Sequence, residues 1–153
     1  RVHHRERSIK ILGNLLQNGD FTEKFFRWSG SVENGVYGFL TIEQGQLRFV
    51  VNKVYPEKKV VLRVLQAGIP AQGGNRYILS FKARSTSKRN LIAEITMGNM
   101  QTRKILSLDE KMKTYTVDTY IPEKELPVAI TFAIEQGQAD IWLDDVVFQA
   151  LRY

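Results

Sequence analysis

A chain of 153 residues with 43% hydrophobic content is long enough for one domain with a real core, of the size at which about two thirds of the unfolded surface is buried. It contains no cysteine, which excludes thiol nucleophiles, zinc–thiolate sites and disulfides together. Its 22 Lys and Arg against 16 Asp and Glu leave a net charge of +6, enough to favour anionic partners at long range without naming one.

Taken in order, residues 1–10 carry Arg1, Arg5, Arg7 and Lys10 with His3 and His4 and show no apolar periodicity. Residues 1–12 are therefore expected to be a linker or interdomain arm ahead of a domain at 13–153. Two adjacent histidines with no third His or Cys do not make a metal site. An opening Arg in place of an initiator Met leads to the expectation of a piece of a longer protein. No apolar run approaches the ~18 residues of a membrane span, and no positive segment leads into an apolar one with a small-residue cleavage site.

From Ile11 the texture becomes short apolar runs parted by turn residues: Leu15-Leu16, then Gln17-Asn18-Gly19-Asp20, then Phe21, a strand–turn signal. Phe25, Phe26 and Trp28 follow, and their bulk predicts a contribution to the core. Asn34-Gly35 and Gln44-Gly45 bracket one strand, and residues 46–54 alternate in part as a second. Residues 59–66 are β-branched and nearly continuous, as a strand covered on both faces would be. The loop 67–75 is expected to end it, and its Gly68, Gly73 and Gly74 lack any phosphate-binding spacing, which excludes a nucleotide loop.

Residues 77–84 alternate cleanly, with Tyr77, Leu79, Phe81 and Ala83 on one face and Ile78, Ser80, Lys82 and Arg84 on the other, predicting one core face and one polar surface. Residues 91–97 repeat the pattern, with Glu94 and Thr96 opposite Ala93, Ile95 and Met97. Residues 108–113 are the only helix-friendly segment and are too short for more than a turn or two. Two further alternating runs, 115–121 and 128–134, precede a last one at 139–148. About eight to ten short strands separated by turns predict an all-β fold, an antiparallel β-sandwich.

The last run holds Asp144 and Asp145 side by side, although strand interiors are poor in Asp. Strict alternation would send the two carboxylates to opposite faces and at least one of them towards packed protein, where it needs a cation or several N–H donors. Two readings stand: turn-flanking acids with ordinary hydrogen bonds, or a structural calcium ligand.

Four motifs in order, Asn18-Gly19-Asp20-Phe21 followed by Trp28, then 77–84, then 128–134, then Ile141-Trp142-Leu143-Asp144-Asp145-Val146, closely resemble the pattern of carbohydrate-binding modules of families 4, 9 and 22, over roughly residues 14 to 150. The resemblance implies a galactose-binding-like jelly roll in which the concave face of one sheet grips a polysaccharide. It also implies a structural calcium remote from the sugar, held by Asp20, the carbonyl of Gly45 and Asp144, since calcium takes carboxylate and carbonyl oxygens together. Thr22 departs from it, standing where relatives carry an acid.

Sugars are gripped by aromatic faces stacked on pyranose C–H surfaces and by amide, acid or guanidinium groups that read the hydroxyls. The family's polar positions fall on Gln66 and Ser80. Ser31 occupies the place of an aromatic found in some relatives, leaving Tyr37, Tyr55 and Tyr120 as candidate platforms. Glu94, Thr96, Asn99 and Gln101 are candidate hydrogen-bonding groups, with Lys82 and Arg84 nearby.

The function expected from this resemblance is a secreted, non-catalytic module that binds a β-glucan or xylan chain and holds a covalently linked glycoside hydrolase on its substrate. Glycosidase chemistry needs two carboxylates converging on one bond, and no such pair is offered beyond Asp144 and Asp145; no nucleophile elbow is present either. Two other readings come from the residues. Ser31 and Ala133 suit a structural or interaction domain of a larger secreted enzyme that has lost sugar binding, and Lys82, Arg84, Lys88 and Arg89 suit an acidic polysaccharide. The signature modules of nucleic-acid binding are absent.

Overall fold

The computed structural model describes residues 13–32, 37–53, 60–122, 126–135, 137 and 139–151; the arm at 1–12 and Tyr55 lie outside them. The described residues contain strands β1 (Ser29–Val32), β2 (Tyr37–Glu43), β3 (Gln46–Lys53), β4 (Val60–Ala71), β5 (Asn75–Ser85), β6 (Arg89–Met97), β7 (Met100–Leu108), β8 (Lys113–Ile121), β9 (Leu126–Glu135) and β10 (Ile141–Ala150). They form two five-stranded sheets, a front one ordered β1-β4-β9-β6-β7 and a back one ordered β2-β3-β10-β5-β8. Every pairing is antiparallel. The two sheets face each other as a jelly-roll sandwich, because each strand has one apolar side to bury.

The core is the meeting of those apolar sides. Tyr77, Leu79, Phe81 and Ala83 of the back sheet are at most 1% exposed, and Val128, Ile130, Phe132 and Ile134 of the front sheet are fully buried. Phe132 meets the edge of Phe81 across the gap, with ring centroids 4.9 Å apart, and Trp28 packs on its other side at 6.5 Å.

Three expectations change at this level. β4 does not stop at Gln66: a bulge between Gln66 and Ile69, with Gly68 at φ +69, carries it on to Ala71. Its Arg63 and Leu65 remain partly exposed, so it is covered on one face, not two. Phe25 and Phe26 are 36% and 54% exposed, outside the core that takes Phe21 and Trp28. They lie in a run of turns gathered by Asn18, whose side chain donates to the carbonyls of Lys24 and Phe26 and accepts from the Glu23 amide.

The third change concerns the two aspartates. The β10–β5 register shifts between Asp144 and Val147, and Asp145 adopts φ +50. Such a bulge resets the alternation: Leu143 and Val146 both enter the core while Asp144 is half-buried and Asp145 exposed. Neither carboxylate is driven into packed protein.

The bulge is braced by the chain's first described segment. β10 pairs with β3 only over Ile141–Leu143. Beyond that, residues 14–19 take the neighbouring place: the Val146 amide donates to the Gly19 carbonyl at 2.9 Å and the Leu15 amide to that of Phe148 at 2.8 Å, while the Asn14 side chain accepts from the Phe148 amide at 2.9 Å. A Cβ on Gly19 would stand 2.0 Å from the Val146 carbonyl oxygen, main chain that cannot swing aside. Gly19→Ala is therefore expected to cost about 2–4 kcal/mol in urea unfolding, against about 1 kcal/mol for Gly74→Ala, where the φ is +80 but space is open. Equal effects of the two would contradict the clamp.

Candidate functional site

Register places the outward side chains of the front sheet in rows. One row runs Ser31, Arg63, Ala133, Ile92, Ile105, and the next Ser29, Leu65, Thr131, Glu94, Arg103. A third holds Ala129, Thr96 and Gln101. Because central β9 contributes Ala129, Thr131 and Ala133 to the middle of this face, with Pro127 and Glu135 towards its ends, that middle is low between the longer side chains of β4 and β7: a shallow trough. At one end Ile92 and Ala133, each 1% exposed, are covered by neighbouring side chains. Beside them the Gln101 amide donates to the Glu94 carboxylate, which fixes the direction in which that carboxylate offers its remaining lone pairs.

The residues expected to bind sugar divide between the two sheets. Glu94, Thr96 and Gln101 come together on the front face, with Asn99 in the β6–β7 turn beside them. Gln66 belongs to the same sheet but points inward and is 2% exposed. Its amide bonds the main chain of Gln17 in both directions, at 3.0 and 2.8 Å, so it braces the segment that clamps β10. Ser80, Lys82, Arg84 and Tyr120 lie on the back sheet, on the opposite side of the sandwich. Tyr37 opens β2, also in the back sheet. One chain lying across one face cannot touch both groups.

The basic quartet divides as well. Lys82 pairs with Asp145 at 3.3 Å, and Lys88 is exposed on the β5–β6 connection. Arg89 is 9% exposed, its guanidinium donating to the carbonyls of Ala139 and Glu135, and burial pulls its pKa down from the usual arginine range. It ties the β9–β10 connection and offers no surface charge. Arg63, Thr131 and Arg103 were not foreseen. Arg103 had a signal: residues 100–108 follow the alternating run 91–97 after a short turn, and the hairpin register sets Arg103 opposite Glu94.

Of the three residues implied for calcium, Asp20 and Asp144 are near enough for their charges to interact. Gly45 and Gln44, at φ +75 and +53, form the tip of the β2–β3 hairpin, two residues ahead of Leu47, which pairs with Leu143 of β10. The pKa of the Asp144 carboxyl is raised above its ordinary value first by burial and then by the charges of Asp145 and Asp20, against the Asp145 amide, which donates to it, and Lys82. The Thr22 amide and hydroxyl donate to Asp20 and hold its carboxyl below the ordinary value. Among the described residues no group of three or more His, Cys, Asp or Glu gathers in metal-binding proximity; the implied set relies on two carboxylates plus carbonyl oxygen.

No protein-family model matches the chain, and no curated protein matches it. Solved structures do match in fold. A family 4 carbohydrate-binding module (CBM4) superposes with a TM-score of 0.75 at 18% identity, over 89% of this chain and 99% of that one. TmCBM61, solved in complex with β-1,4-galactotriose, gives 0.66 at 13% identity over 90% and 99%. The CBM22-1 xylan-binding domain of Paenibacillus barcinonensis Xyn10C gives 0.58 at 11% identity over 93% and 97%. The chain therefore has the jelly-roll fold of carbohydrate-binding modules.

The trough side chains stand on strands whose inward neighbours make the core, so the face is separable from stability. Glu94→Ala and Arg103→Ala are each expected to move the unfolding free energy by less than about 0.5 kcal/mol in urea denaturation.

Proposed function

We propose that the chain is a non-catalytic polysaccharide-binding module whose ligand, a β-glucan or xylan chain, lies along the front-sheet trough. The observation that carries this reading is the row structure itself. Small side chains down β9 leave room for a chain, while Glu94, Gln101 and Arg103 on one flank and Arg63 on the other supply donors and acceptors. Leu65 and Ile105 flank the polar groups with apolar surface suited to sugar C–H faces. Across these rows Glu94 is the sole carboxylate among the described residues, whereas glycosidase chemistry requires two. The fold shared with carbohydrate-binding modules suits action by tethering, with the chain as part of a secreted glycoside hydrolase.

The absence of any strand-borne aromatic from these rows among the described residues favours a second reading, an interaction domain without sugar affinity. Affinity electrophoresis in gels of laminarin, lichenan, hydroxyethylcellulose and xylan separates the two. Retardation by a β-glucan or by xylan, weakened about tenfold or more by Glu94→Ala or Arg103→Ala, is expected. Mobility unchanged in every gel would favour the second reading.

For calcium, the donor chemistry of the implied set fits: Asp20 and Asp144 with the carbonyl of Gly45. There the ion would relieve the like-charge crowding around Asp144 and tie the first described segment to β10. It would supply structure only. Calcium is expected to raise the melting midpoint and a chelator to return it, with Asp144→Asn erasing the difference; an unchanged midpoint would remove the assignment.

A further inference from the structure

Trp142 stands at the centre of the back sheet's outer face, between its register partners Arg48 on β3 and Arg84 on β5. Their guanidinium carbons lie 4.8 and 5.1 Å from the ring centroid, within the range of cation–π attraction. One indole thus carries an arginine on each flank.

Arg48 displays the use of such an arrangement. While packed against the indole, it donates Nε and Nη2 to Asp140, at 3.0 and 2.5 Å, and Nη1 to Glu43 at 2.9 Å. A guanidinium stacked on an aromatic face keeps its in-plane N–H fork free for carboxylates, and the stacking removes much of the side-chain freedom that binding would otherwise have to remove.

Arg84 is held by the same ring, yet no ion pair or hydrogen bond to it exists among the described residues. The acids of this face have other partners: Glu43 and Asp140 go to Arg48, Asp145 to Lys82 and Asp118 to Arg76. The Trp142 indole N–H, moreover, is buried without an acceptor among the described residues, although a buried donor is normally bonded. Arg84 is thus a flat, charged donor set held at a place that offers it no acceptor among the described residues.

We propose that Arg84, oriented by Trp142, is a subsite for the carboxylate of a uronic-acid residue in an acidic polysaccharide, separate from the front-sheet trough. The proposal rests on the reading of the chain as a polysaccharide-binding module. A sugar acid suits the surroundings better than an acidic peptide. Ser80, Thr114 and Thr116 form a hydroxyl-bearing strip on the same face, matched to ring hydroxyls, with the Lys82 ammonium beside it.

The test uses the whole chain with trigalacturonate, galactotriose and polyglutamate as probes, read by calorimetry and tryptophan emission. Trp28 is 5% exposed in the core, so an emission change reports Trp142. Trigalacturonate is expected to bind, to shift the emission and to weaken as salt rises. Arg84→Gln is expected to lower its affinity about tenfold or more, and Arg84→Lys to restore only part, since an ammonium lacks the fork. Neither variant should move the melting midpoint or the electrophoretic retardation by neutral glycans.

No trigalacturonate binding, undiminished binding by Arg84→Gln, or equally tight Arg84-dependent binding of polyglutamate overturns the proposal. If neutral glycans still retard the chain in that event, the trough reading survives. If the chain binds neither neutral glycans nor trigalacturonate, the carbohydrate reading itself fails.

Discussion

The main-chain bond from the Val146 amide to the Gly19 carbonyl is the contact on which the rest of the architecture depends. β10 is the middle strand of the back sheet, and after Leu143 it loses β3 as a neighbour. A central strand with one edge open would leave donors and acceptors unpaired beside the core. The segment 14–19 closes that edge, and its glycine is the only residue type that fits so near the Val146 carbonyl. From there the Gln17 main chain reaches the Gln66 amide in the front sheet, and the Asn18 carbonyl accepts from the Trp28 indole at 2.9 Å. Both sheets are thereby referred to one short segment.

The strands were legible because each buries one face only. Alternation in 77–84, 91–97 and 128–134 marked which side chains enter the core, and Tyr77, Leu79 and Phe81 do so. Bulges were not legible. A shift of one residue costs little locally and leaves no compositional trace, so neither the continuation of β4 past Gly68 nor the placing of Asp144 and Asp145 both outside the core followed from the pattern. Phe25 and Phe26 misled for a related reason. Bulk predicts burial only where the backbone can turn the side chain inward, and the bonds from Asn18 hold that loop the other way.

The candidate site was legible by half. Alternation says that Ser80, Lys82, Glu94 and Thr96 all point outward, but not from which sheet, and an outward residue of the front sheet is separated from one of the back sheet by the whole core. Sheet membership comes from which distant strands pair, and no short-range signal carries that. The same limit hid Arg48 and Arg84 around Trp142, since residues 48, 84 and 142 are far apart in the chain and become neighbours only through register.

The chemistry of the trough bears on how such a module would act. Each neutral hydrogen bond to a sugar replaces one to water, and its net worth is about 0.5–1.5 kcal/mol. A handful of polar groups with apolar help limited to Leu65 and Ile105 then supports binding no tighter than roughly the micromolar to millimolar range. Affinity of that order is of little use to a free domain but ample for a tethered one, because the link turns each encounter into an intramolecular event at high local concentration. On the proposed reading, a face built of small and polar side chains would suit a polysaccharide that a tethered module holds and releases repeatedly. A single charge-assisted contact on the opposite face would add discrimination by tightening the grip on acidic stretches alone.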